Sequence, residues 1–264
     1  MSGSRRTELS ERDVRVLRLL LELRLLTTNQ LQRLVMTEGS AATRARRMRS
    51  VLQRLRRTGV VAQLDRRVGG IRAGSDGMVY RLTSRGMNTL NRLDGAERRR
   101  VGAEPGERYV RHVLAVSELY VSLTERTRLS TSEVLIFAAE PAAWRSYGAP
   151  HGGTITLRPD AFVHTASDEY EDASFVEVDL ATESLSTVSR KCRAYLAYWQ
   201  SGVEQRRLGL FPRVVWVVPN VRRQQQLNTA IGRLPTDQRH LFAVTTPDVA
   251  TDVLLGRTPS GDAT

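Results

Sequence analysis

Residues 40–59 read Ser40-Ala41-Ala42-Thr43-Arg44-Ala45-Arg46-Arg47-Met48-Arg49-Ser50-Val51-Leu52-Gln53-Arg54-Leu55-Arg56-Arg57-Thr58-Gly59. Ser40 is a helix N-cap residue and Gly59 a stop signal, so the spacing predicts one helix through about Thr58. At 100° per residue, Ala41, Ala45, Met48, Val51, Leu52 and Leu55 fall on one face. The opposite face carries Thr43, Arg46, Arg47, Arg49, Ser50 and Gln53, and Arg54, Arg56 and Arg57 extend the charge toward the end.

Upstream, Ser10 with Glu11 and Asp13 opens a helix over about 11–25 whose stripe is Val14, Leu17, Leu20, Leu21 and Leu25. Thr27 or Thr28 caps a short second helix carrying Leu31, Leu34 and Val35. Downstream, residues 60–64 and 78–83 read as two strands, with an Arg- and Gly-rich stretch between them that holds Arg66, Arg67 and Arg72. Ser84 then caps a helix containing Met87, Leu90 and Leu93. Three helices, a hairpin and a helix is the winged helix-turn-helix order. The third helix suits the width of the DNA major groove. Thr43, Arg46, Arg47 and Ser50 are the expected base readers. Arg49, Arg54, Arg66, Arg67 and Arg72 are the expected phosphate contacts. The plain alternatives are an arginine face that is only solvated, or a winged helix that binds protein.

Charge supports the first reading. The chain has 264 residues and a net charge of +12. Residues 1–111 hold 25 arginines and 11 acidic residues, a net of +14, whereas 112–264 hold 15 basic and 17 acidic residues. Such a local excess repels itself without an anionic partner, and double-stranded DNA is the expected one. Of the 40 basic residues 39 are arginine, and Lys191 is the sole lysine. The polar start, Met1–Glu8, has no signal-peptide core and no apolar run reaches membrane length, which predicts a cytoplasmic protein without a membrane partner. Cys192 alone forms neither an intrachain disulfide nor a cysteine zinc site, and is expected to pack as an apolar thiol. His112, His151, His164 and His240 show no metal-ligand spacing, Trp144, Trp199 and Trp216 suit packing, and no Gly-rich phosphate loop precedes a helix.

The expected domains are 9–94, a linker over 95–108, an α/β domain over 109–256 and a disordered tail over 257–264. The α/β part reads as a helix over 109–128 and strands over 133–139, 155–163 and 174–180. A helix over 183–200, a strand over 213–218, a helix over 221–233, a strand over 241–245 and a last short helix follow. The fold class is therefore α+β overall. The order α-β-β-β-α-β, with Pro159-Asp160 followed by Glu177-Val178-Asp179, resembles the PD-(D/E)XK nuclease-like fold over about 109–220. Glu177 and Asp179 share one face of a strand, and Asp160 can lie beside them. That resemblance implies Asp160 and Glu177, with Glu118 as an additional ligand, for Mg²⁺. It implies Asp160, Glu177, Asp179 and Lys191 as the catalytic set. The lysine of the nuclease motif is replaced by Asp179, leaving Lys191 on the next helix as a relocated lysine. The favoured reading is an inactive scaffold. A Lys191 turned toward Asp160 and Glu177 favours the enzyme; one turned to solvent favours the scaffold.

Taken whole, residues 10–245 resemble the replication-relaxation family of plasmids and integrative elements. The residues that carry this are Tyr80–Gly86, Arg111–Tyr120, Arg158-Pro159-Asp160 and Phe175–Ser184, with Lys191 and Tyr195 beyond. In that family the Asp at position 179 is usual, and a Gly is usual where Ala181 stands. The resemblance implies a DNA-binding protein acting in replication control or in relaxation and mobilisation of the element. The alternatives are a Mg²⁺-dependent nuclease or nickase, and an adaptor that docks a relaxase or replication protein. A homodimer is expected because one such helix reads only a short half-site.

Overall fold

The computed structural model of the chain describes residues 9–64, 77–95, 106–149, 152–167 and 170–257. Arg66, Arg67, Arg72, His151, most of the expected linker and all but Arg257 of the expected tail lie outside the described residues. The fold is mixed α and β, as predicted. It forms two compact units, Met1–Val121 and Ser122–Thr264.

In the first unit the order is α1 (Glu11–Glu22), β1 (Leu25–Thr27), α2 (Thr28–Val35), α3 (Ala41–Arg57), β2 (Val61–Gln63), β3 (Val79–Leu82) and α4 (Ser84–Asp94). The strands form an antiparallel sheet ordered β1-β3-β2. Ser10, Thr27, Ser40 and Thr83 cap the four helices by accepting backbone N–H bonds. The first helix stops three residues before its expected end. Arg24 takes φ 66°, which turns the chain so that Leu25–Thr27 pairs with β3. Gly86, at the start of α4, touches the β2 approach so closely that an added Cβ would lie 2.2 Å from the Val60 carbonyl oxygen. Only glycine fits there.

Helix α5 spans Glu107–Thr127. The division between the units falls inside it, so its first half packs with the first unit although the sequence reading assigned the whole helix to the second. Val110, Val113 and Leu114 close over Leu25, Leu64 and Val79. The Ser117 hydroxyl donates to the Leu25 carbonyl at 2.9 Å, and Gln30 Nε2 donates to the Leu114 carbonyl at 3.1 Å. An apolar stripe on a helix goes to whichever core it covers, and a loop-like sequence upstream does not decide which.

The second unit is built on a five-stranded sheet ordered β10-β9-β8-β7-β4. Its strands are β4 (Glu133–Ala139), β7 (Ala161–Ala166), β8 (Glu171–Val178), β9 (Arg213–Val217) and β10 (Phe242–Thr245). Pairing is antiparallel from β4 to β8 and parallel from β8 to β10. Residues 155–157 are expected to run on into the strand at 161–163 but do not; they form β6 (Thr154–Leu157), paired with β5 (Arg145–Gly148). On one face of the sheet lie α6 (Leu185–Ser201) and α8 (Val221–Ile231), packed on Phe162, Phe175, Val214 and Trp216. A short α7 (Val203–Leu208) follows α6. On the other face lies α9 (Pro247–Leu254), where the Leu254 carbonyl accepts from the Thr165 hydroxyl at 3.0 Å. Cys192 is buried in the α6 core as expected, and burial pushes its thiol up to about 12. No described helix is long and apolar enough to cross a membrane.

One expected DNA contact has another task. Arg54 grips Asp13 with both arms, at 2.6 Å each, and Asp13 also accepts the Ser10 N–H. Asp13 is fully buried. Burial opposes its charge, but Arg54 and Ser10 outweigh burial and hold the carboxyl below its ordinary value of 3.8. Removing one partner of a buried pair costs about 3–5 kcal/mol, less here because Arg54 is a third exposed. Arg54→Ala should therefore lower stability by about 2–4 kcal/mol in denaturant melts, with no change in the salt dependence of any DNA binding. Because the folded pKa of Asp13 is lowered, the pair's contribution is present above pH 3.8 and lost as pH falls through the folded value. Acid titration of wild type against Arg54→Ala should show the two stabilities converging there.

Candidate functional site

Two sets of side chains follow from this architecture. The first is the exposed face of α3. Only Met48, Val51, Leu52 and Leu55 of this helix are buried; in its first seven residues Thr43, Arg44 and Ala45 are half-buried and the rest are exposed. Arg46, Arg47, Arg49 and Ser50 are exposed, and Thr43 is half-buried beside its cap, Ser40. Among the described residues no acidic side chain pairs with Arg46, Arg47 or Arg49. An unpaired cluster of guanidinium groups on an exposed helix face presents forked donors of the kind that match phosphate or the O6/N7 edge of guanine.

The second set sits at one end of the β7–β8–β9 sheet. Asp160 immediately precedes β7, Glu177 is on β8, and Asp179 follows β8. Alternation along β8 turns Glu177 to the same face as Phe175, toward α6. Lys191 and Tyr195, one turn apart on α6, close on it. Lys191 Nζ donates to Glu177 Oε2 at 2.9 Å, and the Tyr195 hydroxyl donates to Glu177 Oε1 at 2.6 Å. Lys191 also donates to Glu183 Oε1 at 2.9 Å and lies 5.5 Å from the centre of the Trp216 ring. Lys191 therefore points at the carboxylates, the geometry set down as favouring an enzyme.

Each candidate carboxylate nevertheless has a structural partner. Asp160 Oδ2 accepts the Val178 N–H at 2.7 Å. Asp179 Oδ1 accepts the Ala181 N–H at 2.8 Å, and its Oδ2 accepts Arg223 Nε at 2.6 Å. Arg223 reaches across from α8 and also donates to the Glu183 carbonyl at 2.7 Å. Ala181 takes φ 58°, a left-handed conformation that glycine adopts without strain. This gives a physical reason for glycine at that place.

Charge arithmetic governs the cluster. Asp160, Glu177 and Glu183 face a single lysine. Burial pushes Glu177 up to about 7, and the charge of Asp160 adds to that, while Lys191 and the Tyr195 hydrogen bond oppose it. Burial works against the Lys191 charge, but the surrounding carboxylates outweigh it and raise its pKa. Burial and the neighbouring Glu177 likewise raise the Tyr195 phenol, so it stays a donor.

The carboxylates are hard oxygen donors of the type Mg²⁺ takes. Their oxygens, however, are directed at an ammonium, a phenol, a guanidinium and backbone N–H groups. Among the described residues no three His, Cys, Asp or Glu side chains gather as a metal-holding group. Glu118, expected as an additional ligand, lies in the first unit, where it accepts from Gln30 Nε2 at 2.9 Å and pairs with Arg33. With their oxygens so engaged, Asp160, Glu177 and Asp179 do not fit a divalent ion.

Sequence reasoning missed Arg223. Its signal was legible: Arg223 lies on the stripe of Leu227 and Ile231, and an arginine on an apolar stripe marks a buried acid beneath it. Tyr195 entered only through the family resemblance.

Comparison with known families gives one match: the sequence model described as replication-relaxation covers residues 17–214. No curated protein and no solved structure matches the chain.

The solitary lysine now has a physical account. A compact ammonium bridges two carboxylates beneath an indole, and a planar guanidinium on a longer stem does not fill that space in the same way. Lys191→Arg keeps the charge in a chain that uses arginine almost everywhere else. It should still lower stability by about 1–3 kcal/mol through overpacking and lost geometry. Lys191→Met, which leaves Glu177 buried without its cation, should cost about 3–5 kcal/mol. Urea melts of the three proteins check the order.

Proposed function

The chain belongs to the replication-relaxation family, and from that premise we propose a sequence-specific double-stranded-DNA-binding protein of a plasmid or integrative element. It acts in control of replication or in relaxation and mobilisation of the element. The observation that carries this reading is the exposed arginine face of α3, Arg46, Arg47 and Arg49, with which no described acidic side chain pairs. In this reading α2 and α3 form the helix-turn-helix and β2–β3 the base of the wing. Arg46 and Arg47 read guanine edges, with Thr43 and Ser50 beside them, and Arg49 holds phosphate. Arg54 is removed from the contact set because Asp13 occupies it. A second copy supplies the other half-site.

Each phosphate contact should lower log affinity by about 0.9 per log unit of salt. Titrating full-length protein against the element's own control region should therefore give a steep salt slope. Arg46→Gln with Arg47→Gln should relax discrimination between that region and unrelated duplex, by about 1–3 kcal/mol per lost guanine contact. A flat salt response in the wild type would sink the reading.

The direction of Lys191 favours a second reading, a metal-dependent nuclease or nickase, and a plasmid assay decides between the two. With Mg²⁺ or Mn²⁺, supercoiled plasmid carrying the control region should remain uncut by the wild type. Cleavage that disappears in both Asp160→Ala and Glu177→Ala, with DNA binding retained, would establish the enzyme instead.

A further inference from the structure

The second unit is close to neutral, with 15 basic and 16 acidic residues in Ser122–Thr264. That balance conceals a separation. Helices α6 and α8 contain five basic residues, Arg190, Lys191, Arg193, Arg222 and Arg223, and not one acidic residue. Helix α9, on the opposite face of the sheet, contains Asp248 and Asp252 and no basic residue. Asp252 is paired with Arg126 and Arg257, so that acid meets arginines, while α6 and α8 carry theirs without an acid of their own.

The basic residues of α6 and α8 divide by direction. Lys191 and Arg223 turn inward and are consumed by Glu177, Glu183 and Asp179. Arg190, Arg193 and Arg222 are exposed, and no described acidic residue pairs with them. Ser186, Arg190, Arg193 and Ala197 recur at helical spacing opposite the buried stripe of Val188, Cys192, Tyr195 and Leu196. Arg222, Gln225 and Thr229 form the outer stripe of α8, and exposed Arg233 follows just past its end. The two helices pack on the same face of the sheet. The two outer stripes are therefore basic and amide- or hydroxyl-bearing, and the exposed apolar side chains of these helices, Leu185 and Val221, sit at their first positions. Coding preference for arginine does not produce this pattern alone, because α1, α4, α5 and α7 interleave arginine with acids. Of the helices longer than eight residues, only α3, α6 and α8 carry arginine with no acid. The charge signature of the proposed DNA-reading helix recurs in the other unit.

We propose that the outer face of α6 and α8 is a second phosphate-backbone contact surface, which binds duplex DNA without reading its sequence. Arg190, Arg193 and Arg222 hold phosphates, and the Gln225 amide beside them donates to backbone oxygens. This rests on the DNA-binding reading above and extends it from one unit to both. The buried cations and the exposed ones divide the work: the first hold the helices down, the second are free for a partner.

The test uses the full chain, Arg190→Gln/Arg193→Gln/Arg222→Gln, and a duplex of unrelated sequence followed by fluorescence anisotropy across a salt series. All three positions are exposed, and unchanged thermal melting verifies the fold. The triple variant should bind with a log–log salt slope shallower by about 2–3, near 0.9 for each lost phosphate contact. Arg46→Gln with Arg47→Gln, made separately, should leave that share of the slope in place. A triple variant whose slope equals the wild type, while the wild type binds and the α3 variant weakens, overturns this surface and leaves the α3 reading standing. A wild type with no salt-dependent DNA binding overturns both.

Discussion

A buried carboxylate must find a cation or lose its charge, and in this chain one ammonium carries that constraint for a whole layer. Lys191 Nζ lies 2.9 Å from both Glu177 and Glu183. Glu177 belongs to the central strand β8, Glu183 to the turn after it, and Lys191 to the helix that covers the sheet. Arg223 repeats the device one helix further along, tying α8 to Asp179 and to the Glu183 carbonyl. Desolvation makes each of these bonds costly to leave unmade, so together they set where α6 and α8 sit on the sheet. The residues that most resemble a catalytic set are thus the residues on which the packing of that layer depends.

The same principle sorts the arginines of the first unit. Arg54 and Arg49 are five positions apart on one helix and look alike in sequence. Asp13, fully buried beneath Arg54, makes that arginine structural. Arg49 is exposed, with no described acid to claim it, and is left for an anion from outside. A buried carboxylate facing one arginine and none facing the other is what separates Arg54 from Arg49. The formal charge of +12 averages over these fates.

Much of this was legible in advance. Ser40 and Gly59 bracket α3 in the structure as they do in the sequence, and four of the six positions of the predicted stripe, Met48, Val51, Leu52 and Leu55, are buried, whereas Ala41 is exposed and Ala45 half-buried. Asp160 lies beside Glu177-Val178-Asp179 because β7 pairs with β8, the adjacent-strand placement that the sequence allowed. What escaped depended on tertiary partners. β1 has three residues, too few for a pattern, and exists because β3 pairs with it. Glu118 sits on a helix with two cores to choose from, and Gln30 and Arg33 engage it in the first. The Asp13–Arg54 pair joins residues 41 apart in sequence, a separation that no local spacing rule reaches.

The central claim is that the Glu177 cluster is a charge-paired structural knot whose oxygens are held by Lys191 and Tyr195. The most direct test is a Mn²⁺ titration of the full chain, read by electron paramagnetic resonance of free Mn²⁺ at neutral pH. The account predicts no saturable binding by the wild type. One Mn²⁺ bound per chain, and lost in Glu177→Gln, would contradict it.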